Sequence, residues 1–327
     1  MRTLKVGFIG VGGIARVHLT KLEKMPEVTV TALCDINLAK VVELARKYKA
    51  KTYTDYHEML EEEELDAVWV CIPPYAHKDE VIMAAEQGIN VFVEKPIALD
   101  LRLAKEMERA VERAGVKSWV GYHFRQYSSV RRVAKMLVEE GGPIGLLTGY
   151  WWGSVPRAPW WTKRELSGGQ VVEQTTHIFD LARFLVGEVE RVYAEFNTLI
   201  HKDVPDFTIE DVSIVTLRFK SGCVGVITST SGAKPDGYHV GVELISKNLQ
   251  AEIKGAYAKV LKGEEVIEIK SKEDPYFVED LKFVHCILED LEPEVPISEG
   301  VKTLEVTLAA VKSAESGEVV RLPLSTA

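Results

Sequence analysis

Two groups of residues in this chain have the types and spacing to move protons. The first is Lys95, near the end of the run Val91-Phe92-Val93-Glu94-Lys95-Pro96. Three apolar residues suit a strand covered on both faces, whereas Glu and Lys are seldom buried without partners. The run therefore delivers a cation to the end of a buried strand. The second group lies between Ser167 and Gly187, read as one helix, where Glu173, His177 and Asp180 recur at i, i+4 and i+7. Ile178, Leu181, Ala182 and Leu185 take the other face. A carboxylate one turn from an imidazole can fix its orientation and raise its basicity. A base beside an ammonium suits removal of a hydroxyl proton, because the base accepts the proton while the cation steadies the oxygen left behind. The plain alternatives are a surface ion-pairing face for Glu173 and His177, and an ion pair with Glu94 for Lys95.

Such groups must be positioned by regular elements, and the first 122 residues alternate strand and helix. Strands are expected at Leu4–Gly10, Val28–Asp35, Ala67–Ile72, Asn90–Glu94 and Ser118–Tyr122, with helices at Ile14–Lys24, Leu38–Tyr48, Ala76–Gln87 and Leu101–Ala114. Strands separated by single helices imply right-handed crossovers and an α/β, doubly wound parallel sheet of Rossmann type. Ligands bind such sheets beyond the strands' carboxyl ends, which is where Lys95 falls, and Pro96 holds its backbone extended. Between the first strand and first helix lies Gly10-Val11-Gly12-Gly13-Ile14-Ala15, a GxGxxA loop. Gly10 permits the tight turn, Gly12 lets backbone approach a pyrophosphate, Ala15 allows close helix packing, and the helix start faces the negative charge. Asp35 ends the second strand where an acid accepts from a ribose 2′-hydroxyl and repels a 2′-phosphate. No Arg occupies positions 36 to 39, so NAD is expected over NADP. His77 either lines the nicotinamide side or caps the following helix.

After Tyr122 the alternation stops. Strands are expected at Leu146–Trp151, Arg191–Leu199, Val212–Phe219, Val224–Ser231 and Val240–Ser246, without helices between most of them, which implies an open, mostly antiparallel sheet. The chain thus divides into a nucleotide-binding domain, 1–122, and a substrate-binding and oligomerisation α/β domain, 123–327. In Val212–Phe219 both faces are partly apolar, so one is expected on helices and the other on a second subunit. Trp151, Trp152, Trp160 and Trp161 crowd into eleven residues with Pro156 and Pro159, as a sugar-facing wall or as core.

Forty basic and forty-nine acidic side chains give a net charge of -9, which argues against a nucleic-acid partner. Cys34, Cys71, Cys223 and Cys286 are scattered with no CxxC pairing, as fits a reducing cytoplasm, and no metal-ligand spacing is present. The first strand begins at Leu4 and no apolar run is long enough for a bilayer, so neither a signal peptide nor a membrane anchor is expected.

These residues resemble a known family, the glucose-fructose oxidoreductase, inositol dehydrogenase and rhizopine-catabolism group (Gfo/Idh/MocA). The resemblance covers nearly the whole chain: the glycine loop, Pro73-Pro74-Tyr75-Ala76-His77, Glu94-Lys95-Pro96, Gly121-Tyr122-His123-Phe124-Arg125, Gly168-Gly169 with Glu173 and His177 through Asp180, and the closing EGVKTLEVTLAAVKSAESGEVVRL. It implies reversible oxidation of a sugar or polyol hydroxyl with a nicotinamide cofactor, by a homodimer or homotetramer formed through the second sheet. Lys95 would hydrogen-bond the reacting oxygen and His177 would be the acid/base, supported by Glu173. Cofactor contacts would come from Gly10, Gly12, Gly13, Ile14, Ala15, Asp35, Pro73, His77 and Glu94. Substrate contacts would come from Lys95, His123, Arg125, Trp160, Trp161 and Asp180. Glu173 stands where inositol dehydrogenases of the family usually carry Asp, which speaks against inositol as substrate. Two other activities stay open on the same fold: a non-catalytic nucleotide-sensing regulator, and a redox-neutral glycosidase that keeps its NAD.

Overall fold

The computed structural model describes residues 3–155 and 158–325; Pro156 of the tryptophan-rich stretch lies outside them. In the first part of the chain six strands, β1 (Leu4–Ile9), β2 (Val28–Cys34), β3 (Lys51–Tyr53), β4 (Ala67–Val70), β5 (Asn90–Val93) and β6 (Ser118–Val120), form a parallel sheet in the order β3-β2-β1-β4-β5-β6. Every residue of β4 is buried, as the unbroken apolar runs of a doubly covered sheet demand. The order reverses between β1 and β4, which makes their carboxyl ends the natural ligand crevice.

Five helices connect these strands: α1 (Gly13–Leu22), α2 (Leu38–Tyr48), α3 (Tyr56–Glu62), α4 (Glu80–Glu86) and α5 (Leu101–Ala114). Asn37, Asp55 and Asp100 cap α2, α3 and α5 through side-chain oxygens that accept backbone N–H groups, and Gly115, at φ 67°, closes α5. The pair β3 and α3 was not expected from sequence. Lys51 and Thr52 are exposed and only Tyr53 is buried, so a three-residue edge strand leaves no apolar run to read.

The second part contains α6 (Ser128–Met136), β7 (Ile144–Trp152), α7 (Arg164–Ser167), α8 (Gln170–Glu173), α9 (Thr176–Val186) and β8 (Val189–Asn197). It continues through β9 (Val212–Phe219), β10 (Val224–Thr230), β11 (His239–Ser246), β12 (Gln250–Lys254), β13 (Tyr257–Lys262) and β14 (Glu265–Lys270), and β15 (Val320–Arg321) returns near the end of the chain. These nine strands form one sheet, β14-β13-β12-β11-β7-β10-β9-β8-β15. All neighbours are antiparallel except β7 and β10, which run parallel, so the sheet is mixed. Alternation along β9 separates its faces. Ser213, Val215, Leu217 and Phe219 are buried, and the core behind them includes Ile178, Leu181 and Leu185 of α9. The other face shows Ile214 at 53% exposure beside Thr216.

Two helices close the chain, α10 (Pro275–Leu288) and α11 (Ile297–Ser316). The compact units are 1–122 with 275–301, and 123–274 with 302–327. The sequence reading cut the chain once, after 122, but α10 belongs with the first unit. Its Phe283 meets Trp69 and Phe92 edge-on, with centroids 5.4 and 5.8 Å apart. An amphipathic helix near a terminus advertises an apolar face without saying which sheet will cover it. No helix among the described residues is long and apolar enough to cross a membrane.

Candidate active site

In the first unit the glycine loop is built as its spacing predicts. Gly10 has φ 86°, and a Cβ there would lie 2.5 Å from the Cys71 carbonyl oxygen, so only glycine fits this turn. Gly12 and Gly13 differ, since a Cβ on either would meet nothing within 4 Å. They border open space at the start of α1, where no side chain caps the helix and no acidic residue occupies its first turn. Ala15 is fully buried, as close packing of α1 requires. A helix start with no side-chain cap, no acid in its own first turn and an open glycine approach fits a pyrophosphate.

Asp35 follows β2 and is tied to this loop: its Oδ2 accepts from the Val11 N–H (3.0 Å) and its Oδ1 from the Asn37 N–H (2.9 Å). Each oxygen keeps capacity for a further donor. Ile36, which sequence reading passed over, is 95% exposed beside it; a large apolar side chain immediately after that acid was the available signal. Beyond β4, Pro73 opens the one-turn helix Pro74–Ala76. His77 is buried, with Nδ1 2.5 Å from Glu80 Oε1, while its Nε2 has no hydrogen-bond partner among the described residues. Burial pushes the Glu80 carboxyl up, but His77 and nearby backbone N–H groups outweigh it and hold it below its ordinary value.

Glu94 and Lys95 follow β5, joined to Pro96 by a cis peptide bond. Glu94 is buried and turns into the protein: Oε1 lies 3.0 Å from His18 Nε2, and Oε2 accepts the backbone N–H of Lys95 at 3.1 Å. Gly121 makes room for it, since a Cβ there would stand 2.7 Å from Glu94 Oε1. His18 was not singled out from sequence, because a lone histidine inside a helix carries no spacing signal.

In the second unit the expected single helix from Ser167 to Gly187 is two pieces, α8 and α9, with the short α7 ending where it was expected to begin. Gly168 and Gly169, at φ 77° and 99°, separate α7 from α8, and Thr175 donates its N–H to the Gln170 carbonyl five residues back, breaking α8 from α9. The close approach at the glycines is to Glu210: a Cβ on Gly169 would lie 2.5 Å from its Oε2. Glu210 is buried and accepts from Arg164 at 2.7 Å and from the Val171 N–H at 2.8 Å, so it braces the start of α8. Burial raises its carboxyl despite the Arg164 charge. Only the fold brings Glu210 to this glycine pair.

Glu173 closes α8, and His177 lies in the first turn of α9; both are buried. The His177 ring is nearly parallel to those of Phe124 (centroids 5.0 Å, 20°) and Trp151 (5.9 Å, 17°) and edge-on to His123 (4.7 Å, 69°). Packing on three rings restricts the imidazole's rotation. Arg125 and Asp180, both expected among the substrate contacts, pair with each other. Nε and one Nη of Arg125 donate to the two Asp180 oxygens at 2.8 and 2.6 Å, and Thr303 donates to Oδ1 at 3.3 Å. Two buried opposite charges in reach satisfy each other before any ligand. Trp160 and Trp161 meet edge to face at 5.3 Å, and Trp161 lines a small cavity with Gly169, Gln170, Glu173, Gln174 and Ile209. The Trp161 indole N–H, both amide atoms of Gln170 and the Gln174 carbonyl are buried there without partners among the described residues. Trp152 lies on the sheet surface, bonded to Thr228.

Comparison with known proteins matches the two parts of the chain separately. A family profile described as oxidoreductase family, NAD-binding Rossmann fold, matches residues 4–122, and one described as GFO/IDH/MocA C-terminal domain matches residues 133–256. The chain is 29% identical to myo-inositol 2-dehydrogenase of Thermotoga maritima, over 98% of each chain. It is 26% identical to levoglucosan dehydrogenase of Pseudarthrobacter phenanthrenivorans, over 75% of this chain and 72% of that one. Among solved structures, the WlbA dehydrogenase of Bordetella pertussis, in complex with NADH and UDP-GlcNAcA, matches with a TM-score of 0.86 and 26% identity, over 99% of this chain and 100% of that one.

Proposed function

Because the chain belongs to the GFO/IDH/MocA family of NAD-dependent oxidoreductases, we propose that it oxidises, reversibly, one hydroxyl of a sugar or polyol. The observation that carries this reading is the uncapped, acid-free start of α1 with Gly12 and Gly13 open beside it. Those N–H groups would hold the pyrophosphate, and Asp35 would accept from the ribose 2′-hydroxyl and disfavour a 2′-phosphate. When bound, the nicotinamide supplies the acceptor for hydride.

The chain's own part is proton chemistry. Lys95 donates a hydrogen bond to the reacting oxygen and steadies its negative character, and His177 accepts the hydroxyl proton, with Glu173 as its carboxylate support. The unpartnered mixture of donors and acceptors on Trp161, Gln170 and Gln174 beside Glu173 suits a single water or hydroxyl, which can both give and accept. Four buried, free cysteines fit a reducing compartment such as the cytoplasm. The exposed apolar face of the nine-stranded sheet, with Ile214, Val224 and Ile245 each near half exposure, suits packing on a second copy.

The test is NADH formation by purified protein with NAD over a panel of hexoses, pentoses, inositols, sugar acids and glycosides, repeated with NADP. Turnover on a hydroxyl-bearing class is the expected result. Tight NAD binding with silence across the panel would overturn it in favour of a sensing regulator, and alcohol release from glycosides without net NADH would favour a redox-neutral glycosidase.

A further inference from the structure

The Glu94 carboxylate lies at one end of a buried charged chain that the proposed chemistry does not use. His18, fully buried one turn after Ala15 on α1, directs Nε2 at Glu94 (3.0 Å) and Nδ1 at Asp280 of α10 (2.8 and 3.0 Å to its two oxygens). Asp280 is itself fully buried and also accepts from the Trp69 indole at 3.0 Å. Glu279, likewise buried, brings a third carboxylate close: ligand atoms of His18, Glu94 and Glu279 lie within 4.8 Å of one another.

Such a cluster has two readings, a metal site or an imidazolium held among carboxylates. The geometry decides between them. Both ring nitrogens of His18 face carboxylate oxygens at hydrogen-bond distance, an arrangement that suits an imidazolium donating to both sides and leaves neither nitrogen directed at an open cation position. Burial disfavours charge on the ring, but Asp280 and Glu94 together hold its pKa well above the ordinary histidine value.

Stability alone does not call for this arrangement, because a buried ion network is often no better than apolar residues of the same volume. Its connections suggest a use. One imidazolium joins α1, which begins at the glycine loop, to the carboxyl end of β5 and to α10. Glu94 spends one oxygen on His18 and the other on the backbone N–H of Lys95, and Gly121 leaves that carboxylate the room it needs.

We propose that His18 is a positioning residue for Lys95: anchored by Asp280, it holds the Glu94 carboxylate, which in turn fixes the backbone from which Lys95 projects. This rests on the catalytic reading of Lys95. It links the pitch of the cofactor helix to the placement of the lysine, so the two parts of the first unit that serve the reaction share one buried brace.

Using the full-length protein and the substrate found on the panel, His18→Gln and Glu94→Ala are expected to lower kcat by about 10- to 100-fold, the scale of a small misplacement of a catalytic group. NAD affinity and thermal midpoint should change far less. Glu94→Gln, which can still accept from the Lys95 N–H, should recover about tenfold of the kcat lost in Glu94→Ala. Equal kcat in the two Glu94 variants would overturn the proposal, and this comparison stands even if His18→Gln does not fold. So would a nitrogen-15 spectrum near neutral pH showing an unprotonated ring nitrogen on His18. Lys95→Ala separates the two levels. Near-normal turnover in that variant removes the catalytic reading itself, whereas loss of turnover there with an unaffected His18→Gln removes only the brace.

Discussion

At the scale of single residues, the chemistry assigned to Lys95 and Asp35 is separable by measurement. Lys95→Ala should reduce kcat by about 10²- to 10⁴-fold, the usual worth of a positioned proton donor or oxyanion partner, with NAD still binding by calorimetry. Asp35→Ala should narrow the ratio of NAD to NADP affinity; an unchanged ratio would show that the carboxylate serves only Val11 and Asn37. Gly169 carries a steric prediction. Its φ of 99° and the 2.5 Å gap between a Cβ and Glu210 Oε2 mean that Gly169→Ala must displace the Glu210 brace, and it should lower both the thermal midpoint and turnover.

At the scale of elements, α9 is fixed by charge as well as by its apolar face. Asp180 on α9 holds Arg125, and Arg183, one turn on, donates to Thr303 of α11 and to Glu188 at 2.8 Å each. Breaking a buried pair by removing one partner leaves an uncompensated charge, so Asp180→Ala should cost about 3 to 5 kcal/mol in chemical denaturation. A loss below about 1 kcal/mol would mean that Arg125 finds another partner. Gln170, Glu173 and Gln174, at i, i+3 and i+4, share one face of α8 and its end, and so line one cavity.

At the scale of the whole molecule, acid stability offers a check on the His77–Glu80 pair. The folded pKa of Glu80 lies below the ordinary 4.5, so the pair contributes stability fully above that value and loses it as pH falls through the folded pKa. Glu80→Gln should therefore flatten the decline in stability below about pH 4.5, measured by urea midpoints across the acid range. The exposed sheet face gives a second test. Ile214→Lys should leave the monomer fold intact, because residue 214 faces away from the core, and should shift the protein to a smaller species in light scattering if that face is the contact between copies.

The sequence by itself determined the local and periodic features. The GxGxxA turn, the strand ends that carry Asp35 and Lys95, and the alternation of two partly apolar faces along β9 could all be read because backbone sterics and side-chain alternation act over a few residues, whereas only the fold chose which face of β9 is inward. The same reasoning drew one helix over Glu173 and His177, where two positive-φ glycines and a backbone bond reaching five residues back leave α8 and α9 as separate pieces. Only tertiary structure decided the long-range pairings. It set Arg125 against Asp180, Glu210 against Gly169, and Asp280 and Glu94 on either side of His18, and it sent α10 back to the first unit. The physical reason is common to all of these. A buried charge or an apolar helix face must be satisfied by something, but its residue type does not specify which distant segment will arrive to do so.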